Sequence, residues 1–448
     1  MRKIFLFICC VTLLWSCAKE RLIREESYKE IEKSIQASNG YIVSVDSVAK
    51  IAQSLPRKFS NNPQTKSSGK VIKEIIPFTA FQKPLTKSIP LHENPMDNIY
   101  VVNYANNEGY AIISADTRVD EVIGYSDKGN ITDTMSNPGM RIVMDLIPDY
   151  VTASINEWDE EDDYHDDTIP PVFPPVVDTV RRYSAWQWEN VGPLIATRWD
   201  QKSPFNNLAP VLDNGDTALI GCVTTAMLQI CAYHRFPQDI SYNGTIYSPV
   251  WYLYATLPTG DSIKKYANGA YVNTIANVSY YIAQQFNTDF QIGGSYVSPS
   301  DVGDGMSMLR YSYDRETDYN LAKVKQDINN GRPVYTIGNN PDVGHAWIID
   351  GYRRNYKIAE VYEEVYDYIS EKLISETYLY TDIMYGNVCH LHINWGWDDM
   401  PDGWYVSGIF GRYNGKDDDE FDAVDSANYY TYQYNLKIFE NLRPYYQD

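Results

Sequence analysis

The sequence predicts an α+β chain: a small mixed domain, then a larger one whose first half is helical and whose second half is an antiparallel sheet. Three observations carry this expectation. Between Ile99 and Ser114, two apolar strand-like runs flank the polar turn Ala105-Asn106-Asn107-Glu108. After Cys222, apolar residues fall at Val223, Ala226, Met227 and Ile230, the i, i+3, i+4, i+7 spacing of a helix with one buried face. Strand signals dominate beyond Arg332-Pro333-Val334-Tyr335. At 448 residues the chain is long enough for two domains with ample core.

Taken in order, Arg2 and Lys3 precede the apolar run Ile4 to Trp15 and then Ser16-Cys17, the charged, apolar and small-residue order of a secretory signal over residues 1–16. The run is too short to remain as a spanning helix. Leu14-Trp15-Ser16-Cys17 also resembles a bacterial lipobox, which implies a lipid on Cys17. The protein is therefore expected to be exported, either anchored in the cell envelope or secreted. Residues 17–70 are polar and weakly periodic and read as a tether. Residues 71–156 form the small α+β domain, whose last helix is expected through Met140 to Ile147, ahead of Pro148. Residues 157–185 hold the acidic run Glu157 to Asp163 and the prolines Pro170, Pro171, Pro174 and Pro175. Such a stretch cannot bury enough apolar surface to fold and reads as an exposed linker suited to proteolytic cutting. Residues 186–448 form the larger domain, with a second helical stretch near Val278 to Phe286.

Charge and cysteine content exclude several functions. The 38 basic and 59 acidic residues give a formal net charge of −21, which argues against nucleic acid and anionic membrane surfaces as partners. The 39 tyrosines suit short strands and polar-rimmed surfaces but identify no ligand. Beyond the signal and Cys17, only Cys222, Cys231 and Cys389 remain, an odd number that leaves at least one thiol unpaired. Cys231 and Cys389 read as small buried hydrophobes. Cys222 is different, because Gly221-Cys222-Val223-Thr224-Thr225-Ala226-Met227 puts a single thiol at the turn from loop to helix. Free N–H groups and the helix dipole there are expected to lower its pKa below about 8.5. A candidate base enters a buried strand far downstream, in Val343-Gly344-His345-Ala346-Trp347-Ile348-Ile349-Asp350-Gly351.

A nucleophile on the helix of one half facing a base on a strand of the other is the layout of papain-like cysteine proteases. Four segments in order make the likeness specific: Asp200-Gln201-Lys202-Ser203-Pro204-Phe205-Asn206, the Gly221-Cys222 segment through Ile230, Gly344-His345 through Tyr352, and Asn394-Trp395-Gly396-Trp397. Together they resemble the streptopain family of secreted cysteine peptidases (peptidase family C10). Tyr100-Val101-Val102-Asn103-Tyr104 and Ile112 to Arg118 resemble that family's propeptide, so the likeness covers roughly residues 80 to 410.

The resemblance implies a cysteine endopeptidase made as a zymogen, with protein or peptide substrates, its own propeptide as intramolecular inhibitor and no cofactor. Cys222 would attack the peptide carbonyl and His345 would protonate the leaving amine, the neighbours of His345 suggesting a partly desolvated imidazole that titrates near neutral pH. Gln201 matches the family's oxyanion glutamine. Trp395 is expected to shield and orient His345, Trp397 to line the cleft, and Asn394 remains a candidate contact to His345. The sequence departs from the family pattern at Val343 and at Asp398-Asp399, where glycines usually stand, and adds a tyrosine- and glutamate-rich insert over 353–389 that reads as a hairpin or helix pair. His390 and His392 share a strand face but lack a third ligand with fixed spacing, so they read as sheet-surface histidines rather than a zinc site. Asp417-Asp418-Asp419-Glu420 lacks the alternation of a calcium loop. Two other functions fit the same residues: a noncatalytic surface lipoprotein using this fold for binding, or another thiol-dependent amidase or acyltransferase.

Overall fold

The computed structural model describes residues 41–59, 70–82, 94–132, 137–161, 176–339, 343–366, 372–397, 402–413, 429–430 and 435–445. The signal segment, Cys17, Asp398-Asp399 and the Asp417 to Glu420 run lie outside the described residues. The chain divides into two compact units, Met1–Ile123 and Gly124–Asp448.

In the first unit, strands Ile72–Pro77, Ile99–Tyr104 and Tyr110–Ser114 form an antiparallel sheet in that order. The turn between the last two is the predicted one, with Asn106 and Asn107 at positive φ (57° and 58°), where asparagine is tolerated better than most residues. The expected tether is not structureless. Val45–Lys58 is a helix packed on this sheet, capped by the Ser44 hydroxyl, which accepts from the Ser47 N–H. Val48, Ala52 and Leu55 recur on its inner side and are fully buried, a spacing short enough to be lost among polar neighbours. The Tyr104 hydroxyl ties strand to helix by donating to the Ala52 carbonyl at 2.6 Å.

The second unit opens with residues that join its sheet: Gly124 and Tyr125 pair with Tyr405 and Trp404. The helix expected to end before Pro148 instead runs Pro138–Glu161. A proline in mid-helix forfeits one backbone hydrogen bond; here burial on both sides of it, from Met140 through Ile147 to Tyr150 and Val151, holds the helix together. The helix also takes the start of the presumed linker, residues 157–161. The end of that linker is likewise structured, since Val176–Tyr183 and Gln187–Val191 pair antiparallel with strand Gly344–Tyr366. The segment between them, 162–175, lies outside the described residues.

The helical half is centred on Cys222–His234. Its residues 223 to 232 are all buried, so this helix is enclosed on every side rather than on the single face its spacing suggested. Helices Trp251–Tyr254 and Gly269–Gln285 pack on it. The sheet half follows, in the order Arg315–Asp318, Lys437–Glu440, Val334–Asn339, Gly344–Tyr366, Leu373–Asn394, Gly403–Val406, all neighbours antiparallel. The α+β class expected from the sequence is thus the one adopted. The 353–389 insert is a hairpin: it is the outward extension of the two longest strands. Arg182 bridges Glu364 and Glu376 across this arm, fastening strand Val176–Tyr183 to it.

If the Val45–Lys58 helix is integral to the first unit, Leu55→Ala should destabilise that unit by about 2–5 kcal/mol through the cavity it leaves. Urea unfolding followed by hydrogen exchange of residues 99–114 would measure it, and a loss under about 1 kcal/mol would mean the helix is not docked.

Candidate active site

The thiol is placed by a backbone that only glycine adopts readily. Gly221 has φ +96°, turning the chain so that Cys222 is the first residue of its helix. The turn is pinned from two sides. Ile220 N–H donates to the Gln201 carbonyl at 3.0 Å, and the Thr225 hydroxyl donates to the Gly221 carbonyl at 3.0 Å. Cys222 is half-buried as a residue, yet its sulfur lies deep enough for burial to push the thiol pKa up. The backbone N–H groups of Ala346, Val223 and Cys222 act in the opposite direction but do not win. The expected lowering by the helix start is therefore present as a contribution and outweighed by desolvation.

His345 lies on strand Gly344–Tyr366, next to Ala346, and is 4% exposed. Its ring is surrounded by Trp347, stacked at 6.3 Å between centroids, Trp395 at 6.4 Å and Trp397 edge-on at 6.2 Å. Nε2 lies 2.9 Å from the Trp395 carbonyl. A carbonyl can only accept, so Nε2 carries the proton and the neutral ring keeps its lone pair on Nδ1. Nδ1 is buried with no hydrogen-bond partner. Burial drives the imidazole down to about 4, against the raising effect of the Trp395 carbonyl, and not to the near-neutral value expected from the sequence. Both members of the pair are thus uncharged at neutral pH in this arrangement.

Gln201 is 4% exposed, and its Nε2 has no hydrogen-bond partner. A buried amide donor left unpaired costs about 1–3 kcal/mol, so this position is held against a local penalty.

The Asn394-Trp395-Gly396 turn connects to His345 through backbone. Asn394 is buried, and its hydrogen bonds run to Gln229, Thr197 and Gly396; His345 is not among its partners. Gly396 has φ +62°, and a Cβ there would meet Thr225 Cγ2 at 3.0 Å. Trp395 is fully buried: its N–H donates to Asp402 Oδ1 at 3.0 Å, its ring lies against His345, and its carbonyl holds Nε2.

A second polar cluster underlies this turn. His392 Nδ1 and Asp350 Oδ1 are 2.6 Å apart, while Asp350 Oδ2 accepts from Ile195 N–H at 2.9 Å. Burial alone would lower His392, but the Asp350 carboxylate raises it above the ordinary histidine value. Asp402 is pushed up to about 7 by burial, partly offset by His392 and the Trp395 N–H. His390 is 2% exposed and lies near the Trp188 ring. Neither histidine is the surface residue that alternation suggested; both strand faces are covered here. Cys231 and Cys389 are buried, unbridged thiols raised to about 12 by burial.

One contact was not foreseen. The start of helix Pro138–Glu161 sits directly on the tryptophan-lined histidine. A Cβ at Gly139 would lie 2.4 Å from Trp395 Cε3 and 2.6 Å from His345 Cδ2, distances that no side chain can take without displacing the helix. Asn137, 1% exposed, caps this end by accepting from the Gly139 and Met140 N–H groups at 2.8 and 3.2 Å. The Pro138-Gly139 pair at a helix start was the only sequence signal available.

Residues 199–405 match the Peptidase C10 family, and residues 42–151, which include that helix start, match the Spi protease inhibitor family. Among curated proteins, the Thiol protease/hemagglutinin PrtT of Porphyromonas gingivalis is 27% identical over 282 residues, 56% of this chain and 31% of that protein. Streptopain of Streptococcus pyogenes is 23% identical over 343 residues, 69% of this chain and 73% of that protein. This chain thus spans about a third of the length of PrtT. Among solved structures, a Prevotella intermedia prointerpain A fragment is 18% identical, with 80% of this chain and 98% of that one covered and a TM-score of 0.44. The active interpain A protease is 19% identical, with 58% and 96% covered and a TM-score of 0.34.

Two outcomes follow from the covered, uncharged pair. Gly139→Val should force the helix off His345 and raise the rate of Cys222 alkylation by a small thiol reagent in the intact chain; an unchanged rate would mean the helix does not cover the thiol's partner. The second concerns acid. Because the His345 pKa is depressed on folding, the unfolded chain binds one more proton between about pH 6.5 and pH 4, so stability falls as pH falls through that window. The pH slope of the unfolding midpoint should be shallower in His345→Gln than in the natural sequence.

Proposed function

The chain belongs to the peptidase C10 family and carries a Spi-type inhibitor segment ahead of the peptidase segment, and from that premise we propose that it is a cysteine endopeptidase made as a zymogen, acting through Cys222 and His345. The observation that supports the assignment is a thiol at a helix start together with a histidine whose Nε2 is held by the Trp395 carbonyl, which leaves the Nδ1 lone pair unengaged.

In the uncovered site, Nδ1 takes the thiol proton and the thiolate attacks the substrate carbonyl. The oxyanion that forms receives the Cys222 backbone N–H and the Gln201 Nε2–H, a donor with no competing acceptor to leave. Nδ1–H then protonates the departing amine, and water, with Nδ1 as base, hydrolyses the thioester. Throughout, Nε2–H stays on the Trp395 carbonyl, so the imidazolium forms without reorientation. Trp395 and Trp397 exclude water from the ring, and Asn394 acts on His345 only through the Gly396 peptide.

Inhibition follows from the same geometry. The Gly139 end of the inhibitor segment keeps His345 dry and unprotonated, so the ion pair does not form until it leaves. The activating cut falls within 162–175, because helix ends at Glu161 and paired strand begins at Val176, where a cut would break sheet hydrogen bonds. Residues 176–191 would then remain with the peptidase. The protein is exported through residues 1–16 and held at the envelope by lipid on Cys17, with unfolded protein or peptide as substrate.

Under reducing conditions the natural chain should shorten to the processed form, whereas Cys222→Ala should stay at full length; the same size for both would refute self-processing. In the processed enzyme, Gln201→Ala should lower kcat by about 10²- to 10³-fold with KM little changed. Complete loss of Cys17 labelling by a lipid precursor in cells would remove the anchor from this reading.

A further inference from the structure

We propose that Gln229 is a positioning residue that sets the nucleophile helix, the oxyanion-donor segment and the histidine-holding turn in one register. The proposal rests on Cys222, His345 and Gln201 as the reacting groups. Gln229 lies seven residues after Cys222 on the same helix, so it faces the same side two turns away, about 10 Å along the axis and out of reach of a substrate. It is fully buried within a core that is otherwise mostly apolar.

Its amide touches each of the other elements. Oε1 accepts from the Thr197 hydroxyl at 3.0 Å and from the Trp199 N–H at 3.1 Å, fixing the segment that reaches Gln201 two residues later. Nε2 donates to Asn394 Oδ1 at 2.9 Å, and Asn394 Nδ2 returns a contact to Oε1 at 3.2 Å. Asn394 Oδ1 also accepts the Gly396 N–H at 3.2 Å. That N–H belongs to the peptide whose carbonyl, on Trp395, holds His345 Nε2. An unbroken path therefore runs from the nucleophile's helix through Gln229, Asn394 and one peptide unit to the imidazole. The same peptide is polarised in the useful direction, since an acceptor on its N–H makes its carbonyl a better acceptor for the imidazolium.

Only an amide satisfies this position. Glutamate keeps the acceptor bonds but loses the donor to Asn394; methionine keeps the volume and loses everything else. Burying an amide is costly unless its polar atoms are bonded, and here both its oxygen and its nitrogen are, across elements 165 residues apart in sequence. An aliphatic side chain would fill the same space but leave the two halves free to slide.

The test uses the full chain, processed in trans by a trace of tagged natural enzyme that is then removed, with active sites counted by an irreversible thiol reagent. Gln229→Met and Asn394→Leu should each lower kcat per counted site by about 10- to 100-fold, as expected for a misplacement near 1 Å, with KM within about threefold. The acid limb of kcat/KM should move up toward neutral pH in both, because a poorly held imidazolium stabilises the thiolate less. The double variant should be no slower than the slower single, since both act along one path. Gln229→Glu, which keeps the acceptors, should fall between, and it serves alone if Gln229→Met does not fold. Natural kcat and pH profile per counted site, with only a lowered Tm, would overturn the proposal, as would additive effects in the double variant. Hydrolysis surviving in Cys222→Ala would instead overturn the peptidase assignment and leave the positioning result to be read separately.

Discussion

The hydrogen bond from His345 Nε2 to the Trp395 carbonyl is the contact on which the rest of the site depends. It fixes the tautomer, and with it the nitrogen that can act as base. It also constrains the fold around it, because a backbone carbonyl can serve this role only if its own peptide is immobile. Trp395 is held at its N–H by Asp402, at its ring by His345, Trp347 and Tyr405, and at the following peptide by Asn394. The sequence left Asn394 as a candidate contact to His345 beside Trp395 as its shield. In this chain the asparagine sits one peptide further back, and the left-handed glycine at 396 turns the intervening carbonyl to the ring.

The sheet supplies the rigidity that such an arrangement needs. His345 pairs with Gly338, Ile348 with Asn394, and His392 with Trp404, so the base and the turn that holds it are carried by adjacent antiparallel strands. A slip of one residue would move His345 to the other face. Asp350 and His392 bond across those same strands near the turn, and Asp350 also accepts the N–H of Ile195 from the segment leading to Gln201. The groups proposed to react and the turn that holds the histidine come from four separated segments, linked by buried polar contacts.

That division explains what could be read from the sequence. Cys222, His345 and Gln201 are legible because each sits in a short motif whose chemistry is local: a glycine and thiol before helical spacing, a histidine entering an apolar strand, an amide before Pro204-Phe205-Asn206. The α+β order is legible from periodicity for the same reason. Gln229 is hidden because nothing near it in sequence distinguishes a linking amide from a surface one. The strands at 176–191 are hidden because their partners lie beyond residue 351, and no local pattern announces a pairing that distant. The Val45–Lys58 helix and the passage of a helix through Pro148 were missed where tertiary burial overrides composition and propensity.

Burial also sets the state of the pair. A shift of the His345 imidazole from 6.5 to about 4 corresponds to on the order of 3 kcal/mol against protonation, while the thiol is pushed the opposite way. Two groups moved apart in this direction cannot exchange a proton usefully, whatever their distance. The helix start at Gly139 contributes to that dry environment by its closeness to the His345 ring, and on the zymogen reading its departure would admit water to that ring. Hydration raises the imidazole and lowers the thiol together, and the backbone contributions of Ala346, Val223 and Cys222, which already act to lower the thiol, then favour the thiolate. On the zymogen reading, the cover acts by withholding water from His345 as well as by occupying one face of its ring.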